Sequence, residues 1–186
     1  DTQVAYPFVL ALRAELEAKG HTFRGVGDVE IVPHLYEEHG ERFLERIRGM
    51  FAIALWDDTN KRLLLARDRF GIKPLYVAET GDGLAFSSEL VPLLALGASG
   101  EPDPEAIADY LVLGYVPGER TGIAGARKLA PGSLLVHEHG AHRLRVVGRG
   151  GQPALLGELV ERVAAARGVE QVRGDLGVEA QAARDA

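Results

Sequence analysis

The chain has 186 residues, a formal net charge of −6 at pH 7 and a hydrophobic fraction of 46%. This hydrophobic content can supply a folded core, and an acidic chain without a basic stripe is not expected to bind nucleic acid. The sequence contains no cysteine, which excludes disulfides, cysteine metal sites and a cysteine nucleophile among these residues.

The first third of the chain has a helical pattern. Apolar residues on one face and a following glycine predict a helix over 7–19. A second helix is predicted over 28–39, with Asp28 as its N-cap. Pro33 lies inside this segment, so it predicts either a kink or a later start. A short helix over 41–48 follows.

The pattern then changes to short strands bounded by turn residues. Three hairpins are predicted, in chain order 50–56 with 62–66, 75–78 with 84–87, and 133–137 with 142–147. Helices are predicted at 89–96 and 104–113, with Ser88 capping the first of them. Because helices and antiparallel hairpins alternate without βαβ repetition, the sequence predicts an α+β fold.

The end of the chain differs in composition. A glycine-rich link at 148–151 leads into a predicted amphipathic helix near 154–166. No apolar run reaches the roughly 18 residues of a membrane span, and no signal peptide is visible. We therefore expect a cytoplasmic protein with no membrane partner.

Six histidines raise the question of a metal site. His137, His139 and His142 cluster in the third hairpin, where two or three histidines can hold zinc. The alternative is a solvated hairpin tip, which we favour by analogy with ordinary exposed loops. His21 and His34 each stand alone in the sequence. We therefore expect no metal site.

Residues 66–76 (ARDRFGIKPLY) combine three close charges, a glycine and a Lys-Pro pair. Asp68 lies between Arg67 and Arg69 and is either the centre of a structural ion pair or part of a functional site. We favour the ion pair. Lys73 either places a cation at the mouth of a site or only begins a strand.

Three further residues could take part in chemistry. Asp28 is either a helix cap or a ligand for an ammonium group, and its spacing favours the cap. A nucleophilic Ser88 would need a base and an oxyanion site, and no histidine lies near it in sequence, so we interpret it as structural. Thr2 could act as an N-terminal nucleophile only after removal of Asp1. The pattern predicts no catalytic residue.

The run at 66–76 resembles the ARDRxGxKPLY signature in the glutaminase domain of glutamine-dependent asparagine synthetases. Other segments resemble blocks of the same domain in the same order, namely 12–23, 27–31, 35–40, 44–56, 86–90, 110–118 and 128–132. The resemblance is nearly continuous from about residue 12 to residue 137. So long and ordered a set of matches is specific to this family.

The resemblance implies a partial Ntn-hydrolase fold, an αββα sandwich of antiparallel sheets with flanking helices. It implies a glutamine amidotransferase type 2-like domain at 1–147, lacking its N-terminal strands. Residues 148–186 then form a linker and a degenerate start of a synthetase (ATP-pyrophosphatase) domain. In that last segment the glycines of the family's pyrophosphate loop are absent, so we expect no phosphate site there.

The family's chemistry needs an N-terminal cysteine that attacks the glutamine amide and an Asn-Gly pair that stabilises the oxyanion. Neither is present in this sequence. Of the residues that clamp glutamine, only Asp28 matches. The resemblance therefore implies a glutamine amidotransferase-like domain of asparagine biosynthesis that is inactive in this chain.

Partners and cofactors follow from the same resemblance. Glutamine is the implied ligand, and a synthetase domain or chain, or a second copy of this chain, is the implied partner. ATP and Mg²⁺ belong to the family's synthetase domain, so no cofactor is expected here. Two alternatives stay open: a non-catalytic scaffold domain that pairs with a synthetase, and a relative of the β-lactam synthetases or lasso-peptide cyclases.

Overall fold

Two helices begin the part of the chain that the computed structural model describes, residues 6–147. Helix α1 (Tyr6–Ala18) buries Leu12 and Leu16, and helix α2 (Ile31–His39) buries residues with the same spacing of four. This spacing places side chains on one helix face. A short 3₁₀ helix (Gly40–Arg46) follows directly and confirms the predicted third helical segment.

The start of α2 corrects one prediction. Glu30, not Asp28, occupies the N-cap position, and it makes no side-chain capping hydrogen bond. The helix begins at Ile31, so Pro33 lies in its first turn, where a missing N–H costs little. The later start predicted from Pro33 is therefore confirmed, and the cap at Asp28 is wrong.

Seven strands and two further helices complete the described part of the chain. In chain order they are β1 (Ala52–Asp57), β2 (Arg62–Arg67), β3 (Tyr76–Thr80), β4 (Gly83–Ser87), α3 (Leu90–Ala95), α4 (Pro104–Leu113), β5 (Arg127–Lys128), β6 (Ser133–Glu138) and β7 (Ala141–Val146). All three predicted hairpins are present. Ser88 does not cap α3: Glu89 holds that position, and its N–H donates to the hydroxyl of Ser87 at 3.1 Å.

The strands form two antiparallel sheets, one of order β1-β2-β6-β7 and one of order β4-β3-β5. Alternate residues of a strand point to opposite faces, and β2 shows the result. Leu64 and Ala66 pack with α1, α2 and the 3₁₀ helix, whereas Leu65 packs against the second sheet. On the far side of the second sheet, Ala78 packs with Leu93 of α3. The layers are therefore helix, sheet, sheet, helix, which confirms the α+β prediction.

Residues 6–147 belong to one unit, whose boundary falls after Val147. Thr2 and the segment 148–186, with its predicted link, helix and degenerate synthetase start, lie outside the described residues. No helix within 6–147 is long and apolar enough to cross a bilayer.

Candidate functional site

A groove of about 760 Å³ runs beside β1. Its size is within the usual range for small-ligand sites. Its walls come from α1, the turn before α2, strand β1, the loop after β2 and the chain just before α3. The lining is mostly apolar, and its polar members include Asp28, Arg48, Lys73 and Ser88.

Strand β1 lines the groove along its length, from Ala52 to Trp56, and its two faces have different neighbours. Ile53 and Leu55 pack on the helical cluster. Ala52, Ala54 and Trp56 point the other way and are exposed, with Trp56 retaining 55% of its accessible surface. Within residues 6–147, β1 pairs only with β2, so this row borders an open sheet edge.

Three charged side chains line the same groove. Asp28 is exposed in the turn that precedes α2. The Arg48 guanidinium lies 5.4 Å from the ring centroid of Phe8, a cation–π contact that restrains it. Lys73 is exposed on the loop after β2. The lining of the groove therefore includes one carboxylate and two cations beside an apolar wall.

The turn that carries Asp28 is held by Glu30. Its carboxylate accepts hydrogen bonds from the backbone N–H groups of Arg24 at 2.6 Å and Gly25 at 3.0 Å. The bond from Arg24 contributes most and that from Gly25 next, and together they hold the pKa of Glu30 below its usual range. Glu30, which follows Asp28, is thus hydrogen-bonded to the backbone that precedes Asp28, although Asp28 itself is exposed.

The loop after β2 is organised around a buried carboxylate. Asp68 retains 1% of its accessible surface and accepts hydrogen bonds from the backbone N–H groups of Phe70, Ile72 and Lys73 at 2.9–3.1 Å. The predicted ion pair with a neighbouring arginine is therefore wrong. A turn that points three N–H groups inward satisfies the carboxylate without a side-chain cation.

Arg67 stabilises the same loop from the other side. Its guanidinium donates to the carbonyl oxygens of Gly71, Lys73 and Leu129 at 2.7–2.8 Å. Five donors in a rigid plane allow one arginine to hold three carbonyls at once. Residues 68–75 are thus a structural loop between β2 and β3, and its Lys73 lines the groove.

Asp57 is the last residue of β1 and holds the turn that follows it. Its carboxylate accepts hydrogen bonds from the side chain and backbone of Asn60, from the Tyr36 hydroxyl at 2.6 Å and from Arg62. These donors, the Asn60 side chain first, hold the pKa of Asp57 far below its usual range. The β1–β2 hairpin therefore has a fixed turn.

The histidines of the third hairpin lie close together as predicted, and a second histidine pair was not predicted. His137 and His142 face each other across β6 and β7 with ring centroids 6.4 Å apart, and His139 lies in the turn. His21 and His34, interpreted from sequence as isolated, have their Nδ1 atoms 3.1 Å apart. That pairing arises because α1 packs on α2, which no local sequence pattern announces.

Two further residues that the sequence analysis singled out also lie along the groove. Lys73 and Ser88 line it together with Asp28. Arg48 also lines it and was missed, because a single arginine before a strand carries no spacing signal. The absence of cysteine from the sequence means that none of the groove residues can act as a cysteine nucleophile.

Comparison with known proteins supports a common origin for this fold. The family model described as "Glutamine amidotransferase domain" matches residues 6–146. Glutamine-hydrolyzing asparagine synthetase 1 of Bacillus subtilis (strain 168) is 40% identical over 124 residues, which are 67% of this chain and 20% of that protein. Glutamine-hydrolyzing asparagine synthetase 3 of Arabidopsis thaliana is 48% identical over 84 residues, 45% of this chain and 14% of that protein.

Solved structures agree at the level of fold. Glutamine phosphoribosylpyrophosphate amidotransferase from B. subtilis aligns with a TM-score of 0.50 and 19% identity, covering 76% of this chain and 27% of that one. The layers described above are therefore those of a partial Ntn-hydrolase αββα sandwich. The chain spans about a fifth of the length of the B. subtilis synthetase. With three quarters of its residues matched by the family model, this chain belongs to the glutamine amidotransferase domain family.

Proposed function

We propose that this chain is the glutamine-binding domain of an asparagine-synthetase-type protein. The observation that carries the proposal is the groove that combines Asp28 with Arg48 and Lys73 above an apolar strand. The proposal also draws on the relatives, whose names describe glutamine-hydrolyzing asparagine synthetases.

Glutamine fits this groove by its charges. The α-ammonium donates to the Asp28 carboxylate, and the α-carboxylate accepts from Arg48 or Lys73 in charge-assisted hydrogen bonds. The side-chain methylenes contact the apolar row of Ala54 and Trp56. Hydrolysis requires a nucleophile, and the family's cysteine has no counterpart in these 186 residues. We therefore propose binding without hydrolysis by this polypeptide.

The same proposal includes a partner. In the family, a synthetase domain with its own ATP and Mg²⁺ uses the ammonia released from glutamine. A synthetase domain or chain is therefore the proposed partner, and its ammonia would not come from hydrolysis by these 186 residues. The cytoplasm is the proposed location, because the substrates of such a synthetase are found there. A second copy of this chain is the alternative partner.

A second candidate function is a non-catalytic scaffold, and the surface of α4 favours it. Leu111 and Val112 retain 78% and 82% of their accessible surface, and Tyr115 after the helix retains 61%. Contiguous exposed apolar side chains are typical of protein interfaces. A scaffold would not need to bind glutamine, so a binding experiment separates the two functions.

The test is titration of the 186-residue chain with L-glutamine, with binding measured by calorimetry and by NMR. We expect saturable binding that weakens at least tenfold, or about 1.4 kcal/mol, in Asp28→Ala, because the α-ammonium loses its anion. The matched control is Asp82→Ala, which removes an exposed carboxylate in the β3–β4 turn, away from the groove lining.

Two further measurements sharpen this test. Glutaramic acid, which lacks the α-amino group, should bind equally weakly to the wild type and to Asp28→Ala. Equal affinity of L-glutamine for the wild type and Asp28→Ala would contradict the role of Asp28, and absence of binding would favour the scaffold. Release of glutamate above background would contradict binding without hydrolysis.

A further inference from the structure

Four side chains converge where the end of α1 meets α2, away from the groove. His21 follows α1, and His34, Glu37 and Glu38 lie on α2. His34 and Glu37 are three residues apart on the helix, so they share a face. His21 reaches this face from the connecting loop, which places its ring beside both of them.

Three potential ligand atoms form a nearly equilateral triangle. The Nδ1 atoms of His21 and His34 are 3.1 Å apart, and the Glu37 carboxylate oxygen lies 3.5 Å from the first and 3.4 Å from the second. In a tetrahedral zinc site with bonds of about 2.0–2.1 Å, ligand atoms lie roughly 3.3–3.4 Å apart. The three atoms therefore occupy three corners of a tetrahedron of the right size.

Surrounding contacts orient the rings. The Nε2 atom of His21 lies 3.2 Å from one oxygen of Glu38, whose other oxygen accepts from Lys19 at 2.8 Å. A carboxylate on the distant nitrogen of a histidine is the usual support for a metal ligand, because it leaves the lone pair on the other nitrogen. The His34 ring packs edge-on against Phe23, with ring centroids 4.6 Å apart.

The exposure of the three residues also suits a binding site. The side chains of His21 and His34 retain only 14% and 20% of their accessible surface, so their rings are held in place. The Glu37 side chain retains 64%, which leaves one side of the triangle open to solvent. An ion can therefore enter, and water can occupy the fourth corner.

We propose that His21, His34 and Glu37 bind a divalent transition metal ion, with Zn²⁺ as the best fit and water as the fourth ligand. Two imidazoles and one carboxylate are a zinc ligand set, whereas Mg²⁺ and Ca²⁺ require oxygen ligands. The ion would connect the α1–α2 loop to α2. This proposal is independent of glutamine binding.

The test uses the 186-residue chain after chelation and dialysis. Calorimetric titration with Zn²⁺ should show about one ion per chain, and Co²⁺ should give the strong visible bands of four-coordinate geometry. His21→Gln and His34→Gln should each weaken Zn²⁺ binding at least tenfold. Glu38→Gln should weaken it about 10- to 100-fold through the orientation of His21.

The matched control is His137→Gln, which alters the other histidine pair, whose ring centroids are 6.4 Å apart, and should leave Zn²⁺ binding unchanged. If a histidine variant fails to fold, Glu37→Gln replaces it, because the Glu37 side chain is 64% exposed and we expect its replacement to preserve the fold. Unmeasurable Zn²⁺ binding by the wild type would overturn the proposal. So would wild-type affinity in a folded His21, His34 or Glu37 variant.

Discussion

Gly71 is the residue on which the loop after β2 depends most directly. Its φ of 63° lies in the left-handed region, and a Cβ there would meet Pro131 Cγ at 2.9 Å and Arg67 Cζ at 3.1 Å. Its carbonyl accepts from Arg67, and its N–H donates to the carbonyl of Asp68. Backbone conformation, packing and hydrogen bonding therefore all favour glycine at this position.

Gly71→Ala should lower the free energy of unfolding more than Gly118→Ala. Gly118 has a φ of 65°, and a Cβ added there would meet no atom within 4 Å, so it shares the backbone strain without the clash. We expect a loss of about 1 kcal/mol for Gly118→Ala and an additional loss of about 1–2 kcal/mol for Gly71→Ala. Urea unfolding measures both, and equal losses would contradict the role of the contacts.

Among the elements, the β1–β2 hairpin depends on an ionised turn residue. Asp57 connects the turn to α2 through Tyr36, whose hydroxyl donates to its carboxylate, and to β2 through Arg62. Because these donors favour the ionised carboxylate, they lower its pKa in the folded state. The stability of this hairpin is therefore linked to pH.

The sign of that dependence follows from proton binding. The ordinary pKa of an aspartate is about 3.9, and the folded state binds its proton less readily than the unfolded chain. The contribution of Asp57 is therefore complete above about pH 5 and is lost as the pH falls toward the lower folded pKa. Asp57→Asn should lower the free energy of unfolding at pH 7. Between about pH 5 and pH 3, the free energy of unfolding of this variant should fall less with pH than that of the wild type.

Thermal unfolding at a series of pH values measures this change. Asp82→Asn, in the exposed turn between β3 and β4, is the matched control and should leave the decline as in the wild type. An unchanged slope in Asp57→Asn would show that other carboxylates account for the acid sensitivity.

For the molecule as a whole, the open edge at β1 combines unpaired backbone with an apolar face. Within residues 6–147 this strand has one neighbour, and Ala52, Ala54 and Trp56 are exposed beside the groove. Such edges readily pair with another chain. The purified chain is therefore expected to self-associate as its concentration rises.

Ala54→Lys should reduce that self-association, because a charge at the centre of the strand opposes edge-to-edge pairing. Sedimentation velocity at several concentrations measures the effect. Ala14→Lys introduces the same charge on the exposed surface of α1 and should behave as the wild type. Equal association of both variants would place the contact elsewhere on the molecule.

Local patterns in the amino-acid sequence predict most of the elements and the family, although strand β5 (Arg127–Lys128) lies outside the predicted elements. The helix over 7–19 and all three hairpins follow from periodicity, because helix and strand patterns depend on residues close in the chain. The run at 66–76 indicates the family, and the absence of cysteine removes the family's nucleophile from these residues.

Which side chains act together depends instead on tertiary packing. Asp68 accepts from backbone N–H groups of its own turn instead of from arginine, and Arg48 joins Asp28 along one groove. His21 and His34 meet because α1 packs on α2. Contacts of this kind depend on how the buried faces of helices and strands pack. Packing brings together residues that are far apart in the sequence, so no local pattern predicts which residues meet.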